Sequence, residues 1–238
     1  MFERKTIGGH ACYFHGDHTA KNVLLQPVDD HDLSFLDSEF SLIRQSSAEP
    51  FLLAAFQVER WNHDLSPWEA PAIFGPDGFG DGAEKTLHFV LDDLIPQIGE
   101  DRHYILGGYS LAAFFSLWAA YQTDRFRGIA AASPSVWFPG WDSFISEHEI
   151  RSPVVYLSLG NKEAKTRNKT MATVEDRIRQ MHTRLEEDKG CASCTLEWNQ
   201  GNHFKEPDVR TTKGFAWVLS ECRKSSNVGN NNPEDKGQ

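Results

Sequence analysis

The chain has 238 residues, 39% of them apolar and 24% charged, with a formal net charge of −10. That length suits one large domain or two small ones of ordinary soluble composition, and no apolar run is long enough to span a bilayer. The carboxylates are scattered rather than clustered, which argues against nucleic acid or an anionic membrane as a partner through bulk charge. The opening MFERKTIGGH lacks the apolar core of a secretory leader, so the expected location is cytoplasmic.

In chain order, Thr6 to Phe14 alternates loosely around Gly8-Gly9, which predicts one edge strand with a bulge. Asn22 to Gln26 is a short apolar run stopped by Pro27. From Asp29 an acidic loop, DDHD, precedes Leu33-Ser34-Phe35-Leu36 and then a segment to Ser47 that is compatible with a short helix. Phe51 to Phe56 is continuously apolar between turn signals, the pattern of a strand buried on both faces. Val58 to Trp68 carries two tryptophans, charges and a proline before the Gly/Pro-rich run 74–82, and either folds down as a lid or lines a pocket.

Ala83 to Ile98 spaces Leu87, Val90, Leu91, Leu94 and Ile98 three and four apart, an amphipathic helix with Pro96 in its last turn. Arg127 to Ala132 and Pro153 to Leu159 read as further buried strands, with a short helix from Asp142 to Glu149 between them. A second amphipathic helix runs from about Thr170 to Leu185, followed by a last strand, Thr195 to Asn199. A closing helix runs from Pro207, at a favourable first-turn position, to about Cys222. Residues 1–223 read as one domain without a large cap, and 224–238, polar and Asn/Gly-rich, as a disordered tail.

Cys191-Ala192-Ser193-Cys194 is a C-x-x-C, but no second pair or His cluster completes a zinc site, and it falls between a helix and a strand. With Cys12 and Cys222 it reads as free thiols, a regulatory disulfide being the alternative; no metal and no cofactor is expected.

Strands alternating with helices predict an α/β fold, a three-layer sandwich around a mostly parallel sheet. Sites in such sheets form at the carboxyl ends of strands, and there the chemistry-bearing residues gather. The sharpest is Gly108-Tyr109-Ser110-Leu111-Ala112, between the apolar Tyr104-Ile105-Leu106 and an almost wholly apolar helical segment. It fits G-x-S-x-[G/A], the nucleophile elbow of the α/β-hydrolases, in which the residues two before and two after the serine face each other and only Gly or Ala fits.

A serine hydroxyl needs a base in reach, and the base needs an orienting carboxylate, in the order Ser, acid, His on this fold. His88 and His182 fall within helices, His103 starts the serine's strand at the wrong end, and His148 lies by a short helix. His203, in a Gly-flanked loop after the last strand, is the candidate base. Glu163, just past Gly160, is the candidate acid; the alternatives are an exposed glutamate paired with Lys162, Lys165 or Arg167, and a Ser–His dyad. Backbone N–H groups of Leu111 and of Gln57 or Val58, after the Phe51–Phe56 strand, are expected to hold the oxyanion. Trp61, Trp68, Trp137, Phe138, Trp141 and Phe204 suggest an apolar pocket for a short acyl or aryl group, or in part anchors for their loops, with His63 and Asp64 on a polar part of the substrate.

Taken together, GGYSLAA, SPSVWF, LSLGNKEAKTRN and GNHF resemble the esterase family of α/β-hydrolases that includes S-formylglutathione hydrolases, feruloyl esterases and enterochelin-type esterases. WNHDLSPWEAPAIF with FGDG is similar to small bacterial members of that family. The resemblance spans residues 50 to 220 and implies Ser110 as nucleophile and His203 as base; relatives commonly carry Asp where this chain offers Asn161 or Glu163. It implies a serine esterase that cleaves a short-chain acyl or aryl ester through an acyl-serine. Its partner would be a small-molecule ester, not nucleic acid or a membrane, and a homo-oligomer is compatible. A thioesterase or acyltransferase would share the acyl-enzyme, and a non-catalytic binding module would keep only the fold.

Overall fold

The structure, a computed structural model, describes residues 2–229. Within them one sheet holds β1 (Glu3–Ile7), β2 (His10–Gly16), β3 (Asn22–Val28), β4 (Phe51–Gln57), β5 (His103–Tyr109), β6 (Phe126–Ala132), β7 (Val154–Gly160) and β8 (Ser193–Asn199). Their order is β1-β2-β4-β3-β5-β6-β7-β8. β2 runs antiparallel to β1 and β4, and all pairings from β4 to β8 are parallel.

Alternation along the strands sends neighbouring side chains to opposite faces. Leu24 packs with α1 (Leu36–Ser46) and α8 (Pro207–Gly229), whereas Val23 and Leu25 join the core that contains α5 (Leu111–Gln122) and α7 (Val174–Glu187). α5 is buried from Leu111 to Tyr121, as its almost wholly apolar sequence requires. Phe138 stacks on Phe114 at 4.8 Å and Trp141 meets the same ring edge-on at 4.9 Å, so both join the core around α5.

Four local features differ from the sequence reading. Gly8 and Gly9 have φ of +52° and +86° and close a two-residue hairpin, so the expected bulged strand is a pair of strands, β1 and β2. Pro27 does not stop β3, because pairing with β5 ends at Leu25↔Leu106 and no ladder position is lost beyond it. The helix over Ala83–Ile98 is continuous but widens: α3 (Ala83–His88) passes through a π-helical stretch, Phe89–Leu94, into α4 (Ile95–Ile98), where Pro96 has no N–H to give. α8 continues past Cys222 to Gly229, so the first residues of the expected tail are helical, and residues 230–238 lie outside the described residues.

Between these lie α2 (Trp61–Asp64) and α6 (Trp141–Glu147). Cys12, Cys191 and Cys194 are free thiols. Among the described residues no helix is long and apolar enough to cross a membrane, and no His/Cys/Asp/Glu cluster could hold a metal ion.

Candidate active site

Ser110 stands between the end of β5 and the start of α5 with φ 57° and ψ −114°, a conformation that costs free energy for a residue with a side chain. The surroundings hold it there. A Cβ at Gly108 would come within 2.8 Å of the Ala112 Cβ, so the two arms of the turn touch. The Ser110 N–H donates to Ala132 O at 3.1 Å, and its carbonyl accepts from Phe114 at 3.0 Å and Ser135 at 3.2 Å.

His203 lies in the loop after β8, which turns at Gly201 with φ +106°. Its Nε2 is 3.0 Å from Ser110 Oγ and its Nδ1 is 2.7 Å from Glu163 Oε2. Glu163 sits in the first turn past β7 and is buried, unlike the exposed glutamate of the alternative reading. Its other oxygen accepts from Gly160 N–H at 2.7 Å, Ser133 Oγ at 2.8 Å and Arg210 Nη1 at 2.7 Å. Burial pushes the Glu163 carboxyl up, but the hydrogen bond and charge of His203, then Gly160 and Ser133, outweigh it and hold the group below its ordinary value. An ionised carboxylate only accepts, so Nδ1 carries the imidazole proton and Nε2 is left free to accept from Ser110.

Arg210, Ser133 and Tyr109 complete this network and were not singled out in the sequence. Arg210 is 2% exposed in the first turn of α8; its Nη1 also reaches Tyr109 Oη at 3.1 Å and Ser133 Oγ at 3.2 Å. Its Nη2 reaches the carbonyls of Gln200 at 3.2 Å and Asn202 at 2.9 Å. The Tyr109 hydroxyl donates to the His203 carbonyl at 2.6 Å. One signal was available: positions 210, 214, 215, 218, 219 and 222 form the inward stripe of α8, and an arginine stands at its head. Ser135 is a further buried hydroxyl, 3.4 Å from Ser110 Oγ.

The expected oxyanion donors divide. Leu111 opens α5, so by position its N–H lacks an intrahelical acceptor. Gln57 and Val58 must be corrected. They belong to β4 and its exit, and β3 stands between β4 and β5. The Val58 N–H is moreover taken by Val28 O at 2.9 Å, and the Gln57 backbone meets β2, its carbonyl lying 3.1 Å from His10 Nδ1. The loop that leaves the strand beside β5 is the one after β3, Asp29 to His31.

The aromatic set is corrected in the same way. Phe138 is fully buried, Trp137 and Trp141 nearly so, and they cover α5 and its loops instead of lining a pocket. Trp68 donates Nε1–H to Pro139 O at 2.8 Å and packs on Phe138 and Phe144, and Trp61 packs against the same core. His63 and Asp64 bond to each other at 3.0 Å, with Arg60 and Asp81 as outer partners, and the glycines at 80 and 82 leave room for the His63 ring. Phe204 alone of the set is widely exposed, at 86%, with its ring edge-on to His203 at 5.7 Å.

No family model and no curated protein matches the chain. Among solved structures it is similar to an IroE-like serine hydrolase from Shewanella oneidensis, with TM-score 0.77 and 15% identity over 93% of this chain and 81% of that one. It is also similar to the siderophore hydrolase EstA from Aspergillus nidulans, with TM-score 0.70 and 16% identity over 90% of each chain. A third similar structure is the enterobactin esterase FES from Shigella flexneri, with TM-score 0.60 and 12% identity over 93% of this chain and 59% of that one. Sheet order, parallel strands and the strand–serine–helix turn agree with these likenesses: the chain has the α/β-hydrolase fold.

Proposed function

We propose that the chain is a serine esterase that cleaves carboxylic esters through a covalent acyl-Ser110. The observation that carries this reading is the hydrogen-bonded line from Ser110 Oγ through His203 to Glu163, 3.0 and 2.7 Å, set on a strained elbow. In this reading Ser110 Oγ attacks the ester carbonyl while its proton passes to His203 Nε2, and Glu163 stays ionised against the imidazolium. The oxyanion falls to the Leu111 N–H and to a backbone N–H of the Asp29–His31 loop, since that loop follows the strand next to β5. Collapse breaks the ester C–O bond, and His203 returns the proton to the departing alkoxide. Water, deprotonated in turn by His203, then attacks the acyl carbonyl; the products are a carboxylic acid and free Ser110.

The exposed Phe204 ring beside His203 supports an aryl or short acyl group as the part of the ester that reaches Ser110. The names of two similar structures, a siderophore hydrolase and an enterobactin esterase, make siderophore esters a class to assay beside simple ones. The test is turnover of p-nitrophenyl acetate and butyrate by wild type and Ser110→Ala. The variant is expected to lose at least about 1000-fold in kcat/KM. Equal rates would overturn the reading and leave a binding module on a hydrolase fold.

A further inference from the structure

A buried arginine is costly unless its N–H groups are matched, so the partners of Arg210 say what it is kept for. All five belong to the Ser110 site. Nη1 meets Glu163 Oε1, Ser133 Oγ and Tyr109 Oη; Nη2 meets the carbonyls of Gln200 and Asn202, either side of Gly201 in the loop that carries His203. One guanidinium therefore ties the ends of β5, β6, β7 and β8. We propose that Arg210 is a positioning residue for the reaction, whose planar fork holds the Glu163 carboxylate and the His203 loop as one unit aligned on Ser110.

This rests on the serine-esterase reading. Glutamate has one more rotatable bond than aspartate, and here it reaches back from the turn after β7, so its carboxylate needs fixing from outside. Three donors on Oε1 do this and leave Oε2 for the imidazole. A lysine would return the charge but not the fork, because a point ammonium cannot serve the carboxylate and two divergent carbonyls in one plane. The titratable or charged groups that meet Glu163 are His203 from the β8 loop, Arg210 from α8 and, through Arg210 and Ser133, Tyr109 from β5.

The test compares Arg210→Met and Arg210→Lys with wild type, and repeats both in a Ser110→Ala background. With p-nitrophenyl acetate, Arg210→Met is expected to lose about 10- to 100-fold in kcat, counted per folded molecule, with KM within about twofold. The acid limb of its kcat/KM profile should move up by about one pH unit, since removing a cation beside the Glu163–His203 pair favours the protonated imidazole. Arg210→Lys should return the limb and recover kcat only in part. A merely structural arginine would lower Tm in both variants while the limb and kcat per folded molecule stayed at wild-type values; that result overturns the proposal. If Arg210→Met does not fold, Arg210→Lys decides: full kcat overturns, partial kcat with unchanged KM supports. The His203 titration, followed by NMR in the Ser110→Ala background, needs no turnover. An unshifted titration in Arg210→Met counts against Arg210 alone, whereas wild-type turnover that ignores Ser110→Ala counts against the esterase reading alone.

Discussion

Glu163 has one oxygen for His203 and one for three donors, and that division makes its charge testable apart from its shape. Glu163→Gln keeps the size but replaces one acceptor oxygen by an amide N–H, which admits the wrong imidazole tautomer. The expected loss in kcat is about 10³- to 10⁴-fold at little cost in KM, read by steady-state kinetics; a near-wild-type kcat would mean that Ser110 and His203 act as a dyad. Because its carboxyl is held below the ordinary value, Glu163 contributes stability above the unfolded-chain value that is lost as pH falls through the folded one. At this scale Ser110 was legible from a five-residue turn pattern, and His203 and Glu163 from chain order with few local rivals. Arg210 was not, since its partners lie on four other segments and only the finished fold brings them to it.

Among the elements, the β5–α5 turn is the least tolerant of change. Gly108→Val would drive its side chain into the Ala112 Cβ, already 2.8 Å from the place of a Cβ, in a turn closed by backbone hydrogen bonds on both sides. Expression and circular dichroism should show loss of the native fold or, where it survives, turnover reduced with Ser110 displaced; a fully active Gly108→Val would show that the turn can open. Periodicity revealed most strands and helices because burial writes itself into apolar spacing: α5 is apolar on all sides and α7 on one stripe. It could not reveal that β3, not β4, lies against β5, since both are short apolar runs and strand order is set by long-range pairing. The misassigned oxyanion loop follows from that. The π-helical stretch before Pro96 was hidden too, because widening a helix leaves the apolar positions on the same face.

For the whole molecule, pH dependence of stability has a source far from the serine. Glu39 is buried between α1 and β3, accepts from Gln26 Nε2 at 2.9 Å, and has its carboxyl pushed up to about 8, chiefly by burial, with Asp32 and Asp208 adding and Gln26 opposing. Between the ordinary value of 4.5 and about 8 the folded chain holds a proton that the unfolded chain has released. Stability is therefore fully present below that window and falls across it as pH rises, by up to about 1.4 kcal/mol per unit. Glu39→Gln removes the effect. Its Tm should exceed that of wild type at pH 8 and converge with it toward pH 5; a constant gap would assign the difference to packing. The sequence shows Glu39 as one more charge in a stretch without a clear pattern, and only the docking of α1 beside α8 explains its burial.

The bond from the Tyr109 hydroxyl to the His203 carbonyl has a consequence for motion. Tyr109 is the residue before the nucleophile, so the loop bearing the base is fastened to the elbow by a contact that does not involve the imidazole. Add the two carbonyls held by Arg210, and the loop has no cheap opening of its own, although Phe204 stands in solvent. Hydrogen exchange at the Gly201 amide, which donates to Asn161 Oδ1 at 3.0 Å, should then follow the rare opening of the sheet rather than a local fluctuation. Tyr109→Phe, by cutting one tether, should let that amide exchange ahead of β5.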